Sequence, residues 1–338
     1  MTYQQTIEGL LHTGLIFKQA YEKSSSKIVD AYLYNNWFTE ESQRKIFEAW
    51  SILLTKEKLD EWLIPYGIPN QSKPKTIAII MAGNIPLVGM HDLFCVLISG
   101  HNALVKLSSD DKVLPMWIIQ ELIKFNPEFE ERIKVADDQI NKMHFDAVIA
   151  TGSNNSNRYF EYYFRNYPQI LRQNRTSVAV LTGDEKPDDI KLLADDIFMH
   201  FGLGCRNVSK LYLPDGMALD ILFENFMGYA DFINHNKYVN NYNYHKAIWL
   251  MNQDKFYDNN FILLKEDEGL HSPLASLYFE YYDEIDVLKS RLDEQEKEIQ
   301  CVVSKLNFNH SVPFGKAQRP EWNDYADRID TIAFLLAL

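Results

Sequence analysis

Two periodicities divide the chain. In TEESQRKIFEAWSILLTKEKLDEWL, Ile46, Trp50, Leu53 and Leu54 recur at helical spacing, and Thr39 stands where an N-cap belongs. The first 65 or so residues therefore read as a helical preface, closed by the loop IPNQSKPK at 68–75. Beyond it the pattern changes to short continuous apolar runs rich in β-branched residues. These are TIAIIMA (76–82), ALVKL (103–107), FDAVIAT (145–151), SVAVL (177–181), VSKLYL (208–213), ASLYF (275–279) and QCVVS (300–304). Such runs suit strands buried on both faces.

Amphipathic stretches separate the runs. Pro86 can open the helix PLVGMHDLFCVLISG at its first turn, and further helices are expected at 112–125, over NSNRYFEYYF, after Pro187, at 218–232 and around LKSRLDEQEKEI. Strands alternating with helices imply right-handed crossovers and an α/β fold whose sheets are covered on both faces. Pro313, Gly315 and Pro320 break the alternation in the tail before a last apolar segment.

Composition fits a soluble globular chain of two packed lobes, with 338 residues, 46% hydrophobic and 24% charged. A net charge of −13 argues against nucleic acid as a partner, and any phosphate-bearing ligand must meet a local positive site. The start MTYQQTIEGLLHTGLIF lacks a basic region and a long apolar core, no membrane span is expected, and the chain reads as cytoplasmic. Cys95, Cys205 and Cys301 are far apart with no zinc-like spacing, so neither a disulfide framework nor a metal is indicated.

Three loops are expected at the C-terminal ends of strands, the edge where open α/β sheets bind ligands. AGNIPLVG (82–89) offers the Asn84 carboxamide beside a glycine turn, or is simply a strand-to-helix connection. ATGSNNSN (150–157) could present backbone N–H groups to a phosphate, or its Ser153 or Asn154 could only cap a helix; it is not GxGxxG. FGLGCRNVSKLYLP (201–214) sets Cys205 after two glycines. A thiol at such a junction is either a packed small hydrophobe or an activated nucleophile, whereas Cys95 and Cys301 sit inside apolar runs and read as packing. Lys106 ends a strand with a cation that reaches either solvent or a ligand, and His200 could serve as an acid or base, although a lone His on a helix is more often structural.

In their order these pieces resemble the aldehyde dehydrogenase superfamily, and more narrowly the LuxC-type acyl-CoA reductases. AGNIPL is similar to the superfamily's Asn loop, GHNALVKLSSD to its GNxVxxKPS stretch, ATGS to its glycine turn, GLGCRNVSKLYLP to its cysteine motif, and VPFGKAQRPEWNDYADRIDTIAFL to the closing segment of the LuxC-type group. The resemblance covers roughly residues 75–338 and implies an aldehyde dehydrogenase-like fold of two Rossmann-like α/β lobes after the helical preface. It implies helices and a cofactor domain at 1–182, a catalytic domain at 183–312, and a segment 313–338 that packs back on the cofactor domain.

Carried over by position, the resemblance makes Cys205 the nucleophile and Asn84 an oxyanion donor, helped by the Cys205 N–H. Lys106 would hold the cofactor ribose, with Gly152 and Ser153 along the pyrophosphate. Three departures shape the reading. Val180 in AVLTGD stands where aldehyde dehydrogenases carry a general-base Glu, so water is poorly activated against an acyl-enzyme. Ser109 replaces a carboxylate that repels a 2′-phosphate, which favours NADPH. The ribose-binding Glu falls near Gly269, with Glu268 one place off. The implied activity is NADPH-dependent reduction of a fatty acyl thioester, acyl-CoA or acyl-protein, to a fatty aldehyde. An acyl-phosphate reductase and a non-catalytic acyl-CoA-binding or partner-binding descendant are the rival readings. The resemblance also admits an acyl-transferase partner enzyme and a homo-oligomer.

Overall fold

Thr2 opens the first helix through a capping box: its hydroxyl accepts from the Gln5 N–H at 3.2 Å, and the Gln5 carboxamide accepts from the Thr2 N–H at 2.7 Å. The computed structural model describes the chain apart from residues 24, 69–72, 137–139 and 153 and the side chains of 141 and 154. Helix α1 (Tyr3–Glu22) is followed by α2 (Ser26–Tyr34), α3 (Glu40–Leu53) and α4 (Lys56–Leu63). Thr39 caps α3 as expected, accepting from the Ser42 N–H at 3.3 Å.

The chain divides into two compact units, Met1–Asn174 with Glu321–Leu338, and Arg175–Pro320. In the first, the helical preface leads into β1 (Thr76–Ile80), α5 (Met90–Ile98), β2 (Asn102–Lys106), α6 (Val113–Phe125), α7 (Phe129–Arg132), β3 (Ile133–Val135), β4 (Ala147–Thr151), α8 (Asn154–Phe164) and β5 (Gln169–Arg172). The sheet runs β3-β2-β1-β4-β5 with every neighbouring pair parallel. Alternate residues serve opposite faces. Ile77 and Ile79 join the larger core with Leu10, Phe47 and Phe94, while Ala78 joins a smaller one with Leu104 and Phe145. Helix α5 begins at Met90 and not at Pro86, because Leu87 takes a left-handed conformation at φ 59°.

The second unit holds β6 (Thr176–Val180), α9 (Pro187–Phe198), β7 (Val208–Pro214), α10 (Asp220–Phe226), α11 (Asn236–Asn252), β8 (Tyr257–Asp258), β9 (Leu263–Glu266), β10 (Ser276–Tyr282), α12 (Ile285–Glu294), β11 (Ile299–Val303) and β12 (Ser311–Val312). Its sheet runs β12-β11-β6-β7-β10-β9-β8, parallel except for the edge strand β8. Val178 and Val180 face a core with Tyr212 and Leu288, and Ala179 and Leu181 face the other with Phe198 and Phe226. Because β6 pairs with β7 and β11, it belongs to the second unit, and the chain crosses between units at Asn174–Arg175, before residue 182.

The last helix, α13 (Thr331–Leu336), returns to the first unit. Trp322 stacks on Trp62 with centroids 4.3 Å apart and donates to the Leu53 carbonyl at 2.8 Å. Buried Arg172, at the end of β5, donates to Asp92 of α5 at 2.8 Å and to Thr331 of α13 at 2.9 Å. Residues 313–320 stay with the second unit.

Candidate active site

In the first unit, the ends of β1, β2 and β4 collect four of the expected residues at one edge. Ile80 lies level with Lys106 on one side and Ala150 on the other, and the Met81 N–H donates to the Lys106 carbonyl at 3.0 Å. The Asn84 loop rests on the loop after β2. A Cβ at Gly83 would lie 2.4 Å from the Ser108 hydroxyl, so only glycine allows this approach. Ser108 and Asp111 form a bridge that closes the supporting turn, which α2 steadies from behind: Tyr34 donates to the Ser109 carbonyl at 2.9 Å and Asn35 to the Asp110 carbonyl at 3.1 Å.

Sequence reasoning missed the residue that joins the two loops. The Leu87 N–H donates to Asp111 Oδ2 at 2.6 Å, and this bond holds the left-handed Leu87 turn. Asp111 is buried, its Oδ1 has no hydrogen-bond partner among the described residues, and burial lifts its carboxyl to about 7 against the pull of the Leu87 N–H. Asn84 and Ser109 are exposed, and Lys106 and Gly152 are half-buried. Gly152 is pressed against the first turns of α8, where a Cβ would lie 2.8 Å from both Ser156 and the Phe160 ring. Ser153 lies outside the described residues.

Cys205 belongs to the second unit and sits between α9 and β7, at the N-terminal end of the strand and not at a C-terminal end as expected, because the crossover from β6 through α9 returns the chain to that edge. His200, Phe201 and Gly202 have φ of 55°, 58° and 79°, a run of left-handed backbone that turns the chain sharply after α9. His200 therefore lies on a distorted 3-10 turn and is buried. Asn207 binds the turn from within. Its Oδ1 accepts from the Gly204 N–H at 2.8 Å, and its Nδ2 donates to the carbonyls of Asp196, Ile197 and Met199 at 3.2, 3.1 and 2.8 Å. Ser177 donates to the Cys205 carbonyl at 3.1 Å.

Below the turn, the Asp196 carboxylate accepts from the Gly315 and Ala317 N–H groups at 2.6 and 2.9 Å. Burial raises it to about 7 despite those bonds. Arg206 directs its Nε–H to the Ala317 carbonyl at 2.6 Å. Cys205 is half-buried, whereas Cys95 and Cys301 are buried, and burial with the nearby Asp92 drives the Cys95 thiol well up.

Val180 is wholly buried in β6, so its position offers no base. The nearest acidic residue along the chain after it is Asp184, and then Glu185, whose carboxylate is buried and accepts from the Thr182 and Gly183 N–H groups at 2.9 and 3.0 Å. Glu268 is exposed on the loop after β9. β7 holds that loop: Ser209 donates to the Leu270 carbonyl at 2.6 Å, and buried Lys210 donates to the Asp267 carbonyl. Lys210 also pairs with Glu280 at 3.1 Å, and burial pulls its ammonium down against that partner. Among the described residues, no group of three or more His, Cys, Asp or Glu is placed to hold a metal, and no helix is long and apolar enough to cross a membrane.

A family model described as LuxC, acyl-CoA reductase, matches residues 16–222, more than half of the chain. No curated protein matches. Similar solved structures include an NAD-dependent benzaldehyde dehydrogenase from Corynebacterium glutamicum, at 12% identity and TM-score 0.64, with 94% of this chain and 78% of that one covered. A Pseudomonas syringae aldehyde dehydrogenase C variant complexed with NAD+ and octanal aligns at 10% identity and TM-score 0.64, over 90% and 76%. An NADP-dependent enzyme from E. coli aligns at 12% identity and TM-score 0.62, over 94% and 75%. At these identities the likeness is one of fold, and it agrees with the α/β architecture and the N-terminal helices expected from the sequence.

Proposed function

The chain belongs to the LuxC family of acyl-CoA reductases, and from that premise we propose that it reduces a fatty acyl thioester to a fatty aldehyde with NADPH through an acyl-Cys205 intermediate. The observation that carries this reading is the state of Cys205. It is the one cysteine of the three that is not buried, and it stands on a turn fixed from within by Asn207.

The Cys205 thiolate adds to the acyl carbonyl carbon. Asn84 Nδ2 and the Cys205 N–H donate to the oxygen as it gains charge, a contribution on the order of 3 kcal/mol per donor. The bond from carbon to the donor's sulfur then breaks, and the donor thiol leaves with a proton. NADPH, when bound, supplies the hydride. The resulting thiohemiacetal collapses, the carbon–Sγ bond breaks with its electron pair returning to Cys205, and the aldehyde departs.

The first unit's residues suit such a cofactor. Its sheet has the doubly wound order of dinucleotide-binding folds, Gly152 keeps the turn after β4 free of a Cβ, and Lys106 ends β2 beside a cavity. Apolar Val180 supports reduction over hydrolysis, since no carboxylate stands there to activate water. The Arg206 Nε–H is engaged by Ala317, which weighs against a phosphate clamp and an acyl-phosphate donor.

The test combines intact-mass spectrometry after mixing with long-chain acyl-CoA and an NADPH oxidation assay. The wild type is expected to gain one acyl group and to turn over NADPH, and Cys205→Ala to do neither. A wild type that forms no adduct and oxidises no NADPH with acyl-CoA or acyl-protein donors defeats the reading.

A further inference from the structure

Ser177 is a wholly buried hydroxyl in β6, and both strands beside β6 break register around it. Thr176 pairs with Ile299 and Val178 with Val302, so β11 takes three steps where β6 takes two. Ser177 pairs with Val208 and Val178 with Lys210, so β7 takes two steps where β6 takes one. Ser177 therefore stands at a double bulge, a feature that re-aims the chain and is common beside sites.

Its hydroxyl occupies the place of a missing ladder acceptor. The Cys301 N–H donates to Ser177 Oγ at 3.3 Å, and Cys301 Sγ lies 3.1 Å from the same oxygen. Ser177 in turn donates to the Cys205 carbonyl at 3.1 Å. A hydroxyl has one proton and two lone pairs, and a carbonyl only accepts. The Ser177 proton is thus committed to Cys205, and the Cys301 thiol is the donor in the remaining contact. A line of bonds runs from the buried Cys301 S–H through the Ser177 O–H to the Cys205 carbonyl, each bond polarising the next.

The line completes the hold on Cys205. On one side of its Cα, the Asn207 N–H donates to the Gly204 carbonyl at 3.0 Å; that carbonyl shares a trans peptide plane with the Cys205 N–H and so aims it. On the other side, Ser177 fixes the plane of the Cys205 carbonyl. The Ser177 N–H also donates to the Asn207 carbonyl at 3.2 Å, which ties the two holds together. Two fixed planes about one Cα set its φ and ψ, and with them the direction of the Cβ that carries the sulfur.

We propose that Ser177, backed by the Cys301 thiol, is a positioning residue for Cys205, setting the thiolate and the Cys205 N–H to meet the carbon and the oxygen of one carbonyl group. The inference rests on the reductase reading for the nucleophile's role, and it gives Cys301 a part beyond packing.

Two small reagents separate placement from reactivity. Iodoacetamide alkylates the thiolate at a tetrahedral carbon with loss of iodide and needs no oxyanion donor. With p-nitrophenyl acetate the sulfur adds to the carbonyl carbon, the oxygen gains charge, and p-nitrophenolate leaves with the electron pair of the broken carbon–oxygen bond, so a donor counts. Both rates are read at Cys205 by peptide mass, with Cys205→Ala as the blank. Ser177→Ala should acetylate about tenfold or more slowly than the wild type while its alkylation stays within about twofold. Cys301→Ser keeps a donor and should match the wild type in both reactions, whereas Cys301→Ala should acetylate several-fold more slowly; this pair carries the test if Ser177→Ala does not fold. Two rates that fall together, a Ser177→Ala protein that acetylates at the wild-type rate, or a wild type whose Cys205 alkylates without acetylating overturns the proposal. A selective loss of acetylation, in a protein whose wild type takes no acyl group from thioester donors and oxidises no NADPH, keeps this inference and loses the reductase reading. A wild type that reduces acyl-CoA while Ser177→Ala keeps its full acetylation rate does the reverse.

Discussion

The Asn84 loop of the first unit and the Cys205 turn of the second solve one problem with different chemistry. Each is a strand-end segment forced through left-handed backbone, at Leu87 in one and at His200, Phe201 and Gly202 in the other. Each is held by one buried side chain reaching from elsewhere. In the second unit that side chain is Asn207, neutral and engaged through both its oxygen and its nitrogen. In the first it is Asp111, a carboxyl with one oxygen on Leu87 and the other without a partner among the described residues. An amide satisfies donors and acceptors at once and has no proton to lose, so its hold is the same at every pH. A lone buried carboxyl grips one N–H and is sensitive to acidity.

The largest effect should come from removing the amide. Asn207→Ala leaves the Asp196, Ile197 and Met199 carbonyls and the Gly204 N–H without that partner in a half-buried turn, at a cost of about 4 kcal/mol. The denaturant midpoint should fall markedly, and under the reductase reading the surviving folded protein should acylate slowly. Asn207→Asp should fare no better, since it restores the acceptor but turns a charge toward three carbonyls. A midpoint within error of the wild type would erase the contrast between the two cradles.

Next comes the carboxyl. Because the folded state raises Asp111 from 3.8 to about 7, the protonated form is the one the fold favours. Its contribution is therefore complete below the unfolded value, declines as pH climbs from about 4, and is gone above about 7. Against Asp111→Asn, which does not titrate, the wild type should lose roughly 2–4 kcal/mol of relative stability between pH 4 and pH 8. Asp196 is raised to about the same value and titrates in the same window, so the readout is the difference between the two proteins and not the wild-type curve. A difference flat in pH would mean that Asp111 is held ionised, and the two cradles would then be alike.

The contrast also marks what local pattern could and could not reveal. β1, β2, β4, β6 and β7 were legible as continuous apolar runs because both faces of each strand are covered. β3, β5 and β9 escaped because IKV, QILR and LLKE are short and mix charge with apolar residues, and their pairing partners are supplied by distant strands. Helix α11, NKYVNNYNYHKAIWLMN, hid behind its asparagines; its buried face is Tyr238, Tyr242 and Trp249, aromatic residues that also suit a surface. Pro86 signalled a helix start that Leu87 refuses, and the reason is Asp111, twenty-four residues away. Cys205 and Asn84 could be picked out from neighbouring glycines and motif order. Asp111 and Asn207 look like ordinary loop residues, since nothing in spacing says that a polar side chain turns inward.

The smallest of these effects probes the packing beneath the Asn84 loop and leaves its charge alone. Gly83→Ala would set a methyl 2.4 Å from the Ser108 hydroxyl, 2.6 Å from its Cβ and 3.0 Å from the Asp111 N–H. The two loops must part by up to about 1 Å, which should cost about 1–3 kcal/mol and weaken the Leu87–Asp111 bond along with it. Removing the Ser108 side chain relieves two of those three contacts, so Gly83→Ala with Ser108→Gly should be more stable than the sum of the two single changes by about 1 kcal/mol, read as a coupling in denaturant midpoints. If parting the loops also loosens Asp111, the Gly83→Ala protein should show a smaller pH-dependent gap to its own Asp111→Asn derivative. Strict additivity would mean that the Asn84 loop is held by the carboxyl alone; coupling would mean that the first cradle needs both the bond and the missing Cβ, where the second is held by its amide.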